Sequence, residues 1–352
     1  MYTLELYKKN LVSMPKWLPH NIHYETIMGS VAYGVSSDTS DMDVYGFSIP
    51  PKEMIFPHLA GKIQGFGSNV PTFEQFQKHG IIDESALGGK GRIYDLTIYG
   101  IVRYFQLLME NNPNMIDSIF TPESCVLHIT RIGQIVRDNR RLFLHKGCWN
   151  TFRGYAYSQL HKIQSKNHDG LNELMEFEKS KGISNKTKFL EVKEALDQKK
   201  PESFCLNTFD ELQEYYNLYS NTLSKSKRSE RVKIDGFDVK FAYHVVRLIY
   251  EAEMILSECD LNLQRNREHL KAIRRGELTE EDIRDFFNSK SKILDELHAN
   301  CKLPPSPQED KIKNLLLNCL EEHYGKLDNC LVIPDRYLQC LREIKEKIEG
   351  VL

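Results

Sequence analysis

Asp41 and Asp43 stand two positions apart at the head of a β-like run over residues 43–49. In a strand, residues i and i+2 point to the same face, so the two carboxylates converge. Adjacent carboxylates repel unless a cation lies between them, and carboxylates together with nucleotide phosphates are the usual oxygen ligands of magnesium. Upstream, Gly29-Ser30 follows another β-like run and precedes a segment long enough for one helical turn. Glycine lets the backbone approach a phosphate, serine adds a hydroxyl, and a helix start favours an anion. Together these residues place a triphosphate beside a metal pair. A nucleophile activated on the metal, away from the leaving group, needs a third carboxylate. Asp95 is the best candidate, because it sits among apolar residues, where a charge is costly unless paired or metal-bound. Taken singly, an Asp-x-Asp also fits a solvated turn or a helix cap, and Asp95 also fits an exposed edge strand. The combination and the spacing favour chemistry.

These residues need a scaffold, and the first 125 residues offer one. They are rich in Gly and Pro, with β-branched or aromatic runs at 23–28, 43–49, 73–82 and 92–98 that read as strands separated by turns. Residues 99–110 then place Ile101, Phe105 and Leu108 at helical spacing, and Asn111-Asn112-Pro113 ends that helix. From residue 130 onward the pattern is helical. Capping-box grammar recurs at Thr208-Phe-Asp-Glu211, Thr279-Glu-Glu-Asp282 and Ser306-Pro-Gln-Glu309. The expected organisation is α+β: a domain with a mixed sheet at 1–125, a helical domain at 126–302 and a helical tail at 303–352.

The strongest helical pattern covers residues 237–257. Phe241, Val245, Leu248, Ala252 and Ile255 form one apolar face, and Lys240, His244, Arg247 and Glu251 form a second stripe beside it. That stripe fits a solvated face with an Arg247–Glu251 pair, and it also fits a phosphate-binding surface. Lys225, Lys227, Arg228, Arg231 and Lys233 crowd one loop, and Tyr155 and Tyr157 lie near Arg153 and Lys162. Basic residues interleaved with aromatics suit single-stranded nucleic acid or a nucleotide base; a lysine-rich solvated loop and core tyrosines account for them equally. Residues 131–144, with Arg137, Arg140 and Arg141, read as a solvated helix.

Composition excludes several classes. The 352 residues are 41% hydrophobic and 27% charged, which is ordinary for a globular chain and excludes extended disorder. Forty-seven basic against 49 acidic residues leave a formal charge of −2, so whole-chain charge does not point to nucleic acid. No apolar stretch is long enough for a membrane span, and the first residues lack a secretory pattern. The eight cysteines are scattered without a CxxC pair, which reads as reduced thiols in a cytoplasmic protein.

The order Gly-Ser, spacer, Asp-x-Asp resembles the signature of the DNA polymerase β-like nucleotidyltransferase superfamily. Gly29-Ser-Val-Ala-Tyr-Gly34 with Ser40-Asp-Met-Asp-Val-Tyr-Gly46 is similar to the RNA-ligase-associated nucleotidyltransferases, the RlaP family, and most to a T4-like phage branch. The resemblance continues through Asp95-Leu-Thr-Ile-Tyr99, Asn112-Pro-Asn-Met-Ile-Asp117, Phe152-Arg-Gly-Tyr-Ala-Tyr-Ser-Gln159, the block from Lys240 to Arg247, and Leu270-Lys-Ala-Ile-Arg-Arg-Gly-Glu277. It covers roughly residues 22 to 280, and the tail after Cys301 and residues 166–233 match nothing in it.

The resemblance implies a polymerase β-like catalytic domain followed by an all-α domain that closes the cleft. It implies two-metal transfer of an NMP from an NTP to an acceptor hydroxyl, with an RNA or tRNA end as acceptor. Asp41 and Asp43 would hold two Mg2+ (or Mn2+) ions and Asp95 the one on the nucleophile side, while Gly29, Ser30 and Ser40 would bind the nucleotide. Lys240 and Arg247 would neutralise the outer phosphates, and His244 would be a ligand contact or a packing residue. ATP is among the candidate nucleotides, and the setting would be cytoplasmic, that of the host if phage-encoded. Two other readings stay open: nucleotidylation of a protein or small molecule, and a catalytically silent nucleotide-binding interaction protein. The three surviving carboxylates speak against silence.

Overall fold

The computed structural model describes residues 1–36, 41–56, 72–165, 169–184, 186–223, 232, 236–326, 344 and 348. The chain divides into two compact units. One comprises Met1–Gly147, Asn262–Gln264 and Leu303–Leu352, the other Cys148–Leu261 and Arg265–Lys302. The division falls after Gly147, not at 125, because the chain beyond 125 returns to the sheet before it turns helical.

The first unit opens with a helix, α1 (Tyr2–Lys8), and a strand, β1 (Ile22–Ile27). A single turn, α2 (Gly29–Ala32), leads towards β2 (Met42–Ser48), and another turn, α3 (Lys52–Ile55), follows it. Next come β3 (Gln75–Asp83), the turn α4 (Ala86–Gly89) and β4 (Arg92–Gly100). Helices α5 (Ile101–Met109) and α6 (Pro113–Ile119) precede β5 (Val126–Ile129) and α7 (Arg131–Asp138). The five strands form one mixed sheet in the order β3-β4-β2-β1-β5, in which β2 and β4 run parallel and the other pairs antiparallel. The sequence pattern missed β5, a four-residue strand with no fully buried residue and therefore no apolar alternation to read.

Alternation divides the two faces of the central strands. Val44, Leu96 and Ile98 are fully buried on one face, where Ile98 packs with Leu18 and Ile22 and with the rings of Trp17, Phe73 and Phe76. On the other face, Phe47 packs between Tyr24 and Tyr104 of α5. This second face also carries Asp43 and Asp95, at the end where both parallel strands begin. Asn112 ends the helical run as expected and caps the next one, its side chain accepting from the N–H groups of Asn114 and Met115 while Pro113 takes the first helical position. Arg137 departs from expectation. It is only 9% exposed and donates to Tyr24 Oη and the Thr121 carbonyl, because α7 stops at Asp138 and lies against β1.

The second unit contains α8 (Cys148–Ser165), α9 (Asp169–Lys181), α10 (Phe189–Asp197), α11 (Phe209–Leu223), α12 (Val239–Glu258), α13 (Arg267–Arg275) and α14 (Glu280–Asn300). Val245, Leu248, Ala252 and Ile255 of α12 are buried, as their spacing requires, and α12 packs on α8, α13 and α14. Thr279 and Asp282 form the expected capping box. Leu174, Val192, Leu212, Tyr215 and Tyr219 make a separate small core among α9, α10 and α11.

The chain then returns to the first unit with α15 (Glu309–Tyr324). The capping box expected at Ser306 does not form. The helix begins at Glu309 with Gln308 as its cap, two residues later than the motif proposes. His323 of α15 meets His23 of β1, Nδ1 to Nε2 at 3.1 Å, and Tyr324 Oη donates to the Pro50 carbonyl. Among the described residues no helix is long and apolar enough to cross a membrane.

Candidate active site

Asp43 and Asp95 are register partners across the parallel strands β2 and β4, so their side chains leave the same face of the sheet side by side. Asp41 lies two residues before Asp43 and is exposed. Beside Asp43, the chain leaves β1 and turns sharply: the Met28 N–H donates to the Asp43 carbonyl at 2.7 Å, and Gly29 has a φ of +62°. A Cβ on Gly29 would lie 1.9 Å from Asp43 Oδ2. Glycine is therefore required twice here, for its left-handed backbone and for the close approach of the carboxylate. Ser30 follows in the single turn α2. Ser40 falls in residues 37–40, outside the described residues.

Asp95 is held from the edge strand. Its Oδ1 accepts the Gly80 N–H at 2.7 Å, and His79 Nδ1 lies 3.3 Å from Oδ2. Tyr45, two residues beyond Asp43, shares the face. Burial first, then the neighbouring Tyr99 and the charges of Asp43 and Asp95, push its hydroxyl up to about 12, against the nearby Thr97 side chain, which works the other way. Tyr45 is therefore a neutral donor beside the carboxylates. The turn that carries Gly29 is fastened behind: Tyr33 Oη donates to the buried Asp117 at 2.6 Å. Among the described residues, no three His, Cys, Asp or Glu side chains are gathered closely enough to hold a metal ion.

Sequence reasoning had no signal for His79 or Gly80, since a bulge partner across a strand pair leaves no periodic trace. Tyr45 is readable in the sequence from its i+2 spacing to Asp43.

Lys240, His244 and Arg247 belong to the second unit. Lys240 is exposed in the first turn of α12, and the His244 ring meets that of Tyr243 edge-on. Arg247 is 5% exposed, and its Nη1 donates to both carboxylate oxygens of Glu251 at 3.0 and 3.3 Å. The stripe is thus not a uniformly solvated face. Tyr155 and Tyr157 are exposed on α8, and the lysine-rich loop of Lys225, Lys227, Arg228, Arg231 and Lys233 lies outside the described residues.

Comparison with known proteins adds the family. No curated protein matches the chain by sequence. Among solved structures, a nucleotidyltransferase-like protein from Exiguobacterium sibiricum 255-15 matches at 9% identity with a TM-score of 0.24, covering 92% of this chain and 80% of its own; a superposition that loose carries no argument. Residues 5–176 match the RlaP family, described as an RNA repair pathway DNA polymerase beta family. That stretch takes in the whole sheet and Gly29, Asp41, Asp43 and Asp95, so the sheet-bearing part of the chain matches the RlaP family of polymerase β-like nucleotidyltransferases.

Proposed function

We propose that this nucleotidyltransferase uses divalent cations to move an NMP from an NTP to an acceptor hydroxyl at an RNA end, tRNA included. The observation that carries this reading is the pairing of Asp43 with Asp95 across β2 and β4, with the Gly29 backbone against Asp43. The family match over residues 5–176 supports the chemistry, and that family's description as an RNA repair group supports RNA as acceptor.

The donor chemistry suits Mg2+ or Mn2+, and the three carboxylates, which are not gathered closely enough to hold an ion as they stand, would draw together around it. All three donors are carboxylates, hard oxygen ligands, and two of them are already side by side on rigid strands. The Asp43 carboxylate packs directly against the Gly29 backbone, where any Cβ would displace it, so this donor is held in one place. Asp41 and Asp43 would hold both ions, and Asp95 the one on the acceptor side. Bound there, the ions would lower the pKa of the acceptor hydroxyl and offset charge on the leaving pyrophosphate. The chain's own residues orient the partners. The turn at Gly29-Ser30 brings backbone to the phosphates, and Tyr45 keeps a neutral donor on the carboxylate face. The acceptor oxygen attacks the α-phosphorus, the α–β bridging bond breaks, and pyrophosphate leaves with that bond's electron pair. The hydroxyl proton passes to water. Positioning, more than covalent chemistry by the protein, sets the rate. Lys240 is the exposed member of the basic stripe, whereas Arg247 is engaged with Glu251.

The test is to incubate the purified chain with Mg2+, each NTP labelled at the α-phosphate, and RNA, DNA or lysate. Label in RNA is expected, with Asp43→Asn and Asp95→Asn inactive or strongly slowed. Label in a protein or small molecule would replace the acceptor, and no label anywhere would leave a silent nucleotide-binding protein.

A further inference from the structure

Between Lys78, paired with Leu96, and Ile81, paired with Tyr94, strand β3 carries two residues where β4 carries one. The two are His79 and Gly80, and the one is Asp95. Such a bulge re-aims side chains locally, and bulges concentrate beside active sites. Here Gly80 adopts a φ of +66°, which turns its N–H onto Asp95 Oδ1 at 2.7 Å. His79 meets the other oxygen, with Nδ1 3.3 Å from Oδ2. Its second nitrogen is also engaged: the Gln77 side-chain Nε2 lies 2.7 Å from His79 Nε2. An amide nitrogen can only donate, so His79 Nε2 accepts and the ring proton sits on Nδ1, facing the carboxylate.

We propose that His79 is a positioning residue that, with the Gly80 N–H, sets the aim of the Asp95 carboxylate towards the cation on the acceptor side; this rests on the nucleotidyltransferase reading given above. A carboxylate engaged at both oxygens from one strand cannot rotate freely, and such outer contacts orient ligands and tune their affinity. His79 is itself largely exposed, so its contribution to packing is small.

The test uses the full chain in two measurements, calorimetric titration with Mn2+ alone and steady-state transfer from labelled NTP to RNA. His79→Ala should weaken Mn2+ binding and lower kcat by about tenfold each, with the KM for NTP within about twofold. His79→Asn should restore both, because its amide N–H takes the place of Nδ1–H. His79→Gln, whose amide reaches to the place of Nε2, should not. Unchanged Mn2+ affinity and kcat in His79→Ala would overturn the proposal, as would equal rescue by Asn and Gln. The function reading is judged separately, by transfer in the wild type. A wild type that transfers, with His79→Ala unaffected, sinks only the positioning role. A wild type that transfers nothing sinks the function reading, and the Mn2+ titration still decides whether His79 aims Asp95.

Discussion

At the scale of single residues, the site depends on one glycine and one carboxylate in contact. A Cβ at Gly29 meets the far end of the Asp43 side chain, not backbone, so the clash is relieved by rotating the carboxylate away. Gly29→Ala should therefore cost only about 1–2 kcal/mol of stability, from the left-handed φ, while nucleotidyl transfer falls to background. Urea unfolding beside a transfer assay checks this; a folded variant with full activity would show that Asp43 need not sit where it does. Asp95→Asn should behave differently from Asp43→Asn. It should lower turnover strongly and change NTP affinity little, since Asp95 serves the acceptor side. Parallel loss of affinity and turnover would move Asp95 to the triphosphate. The Gly29-Ser30 and Asp41–Asp43 spacing could be read from the sequence because it is local. The support of Asp95 by His79 and Gly80 could not, because it depends on a register shift between strands.

At the scale of elements, the clearest titratable joint is that between β1 and α15. Burial first, then the nearby His323 and His128, lower the pKa of His23 from 6.5 to about 4, and burial lowers that of His323 too. Both rings are thus held neutral in the fold, in contact at 3.1 Å, and the Arg131–Glu322 ion pair ties α15 to α7 beside them. The unfolded chain protonates first as the pH falls. Stability from this joint is complete above about pH 6.5 and is lost as the pH falls from there through about 4. The urea midpoint should drop between about pH 7 and about pH 5, and by less in His23→Gln. An equal drop in the variant would place the pH dependence elsewhere. Strands and helices with strong periodicity, such as β2, β4 and α12, were legible in the sequence. The short strand β5 and the late start of α15 were not, because neither carries an apolar pattern or a formed cap of its own.

At the scale of the whole molecule, the two units are each held by their own core, and the second depends on a buried ion pair. Arg247 and Glu251 are 6% and 2% exposed in their side chains. Removing one partner leaves a charge in a place that cannot solvate it, so Arg247→Ala should destabilise by about 3–5 kcal/mol. Hydrogen exchange should show the loss of protection in α8, α12 and α14, and Arg247→Met with Glu251→Leu should recover most of it. A stable Arg247→Ala with weakened NTP binding would instead assign the arginine to phosphate. The sequence pattern placed these residues on one helix face, but it could not tell a buried pair from a solvated one, since i,i+4 spacing is common to both. The central claim is that the Asp43–Asp95 pair transfers a nucleotidyl group, and the position of the label tests it most directly. With Mg2+ and RNA, an NTP labelled at the α-phosphate should label the RNA, the same NTP labelled at the γ-phosphate should release that label as pyrophosphate, and Asp43→Asn should do neither. Label from the γ-phosphate in the RNA, or undiminished transfer by Asp43→Asn, would contradict the account.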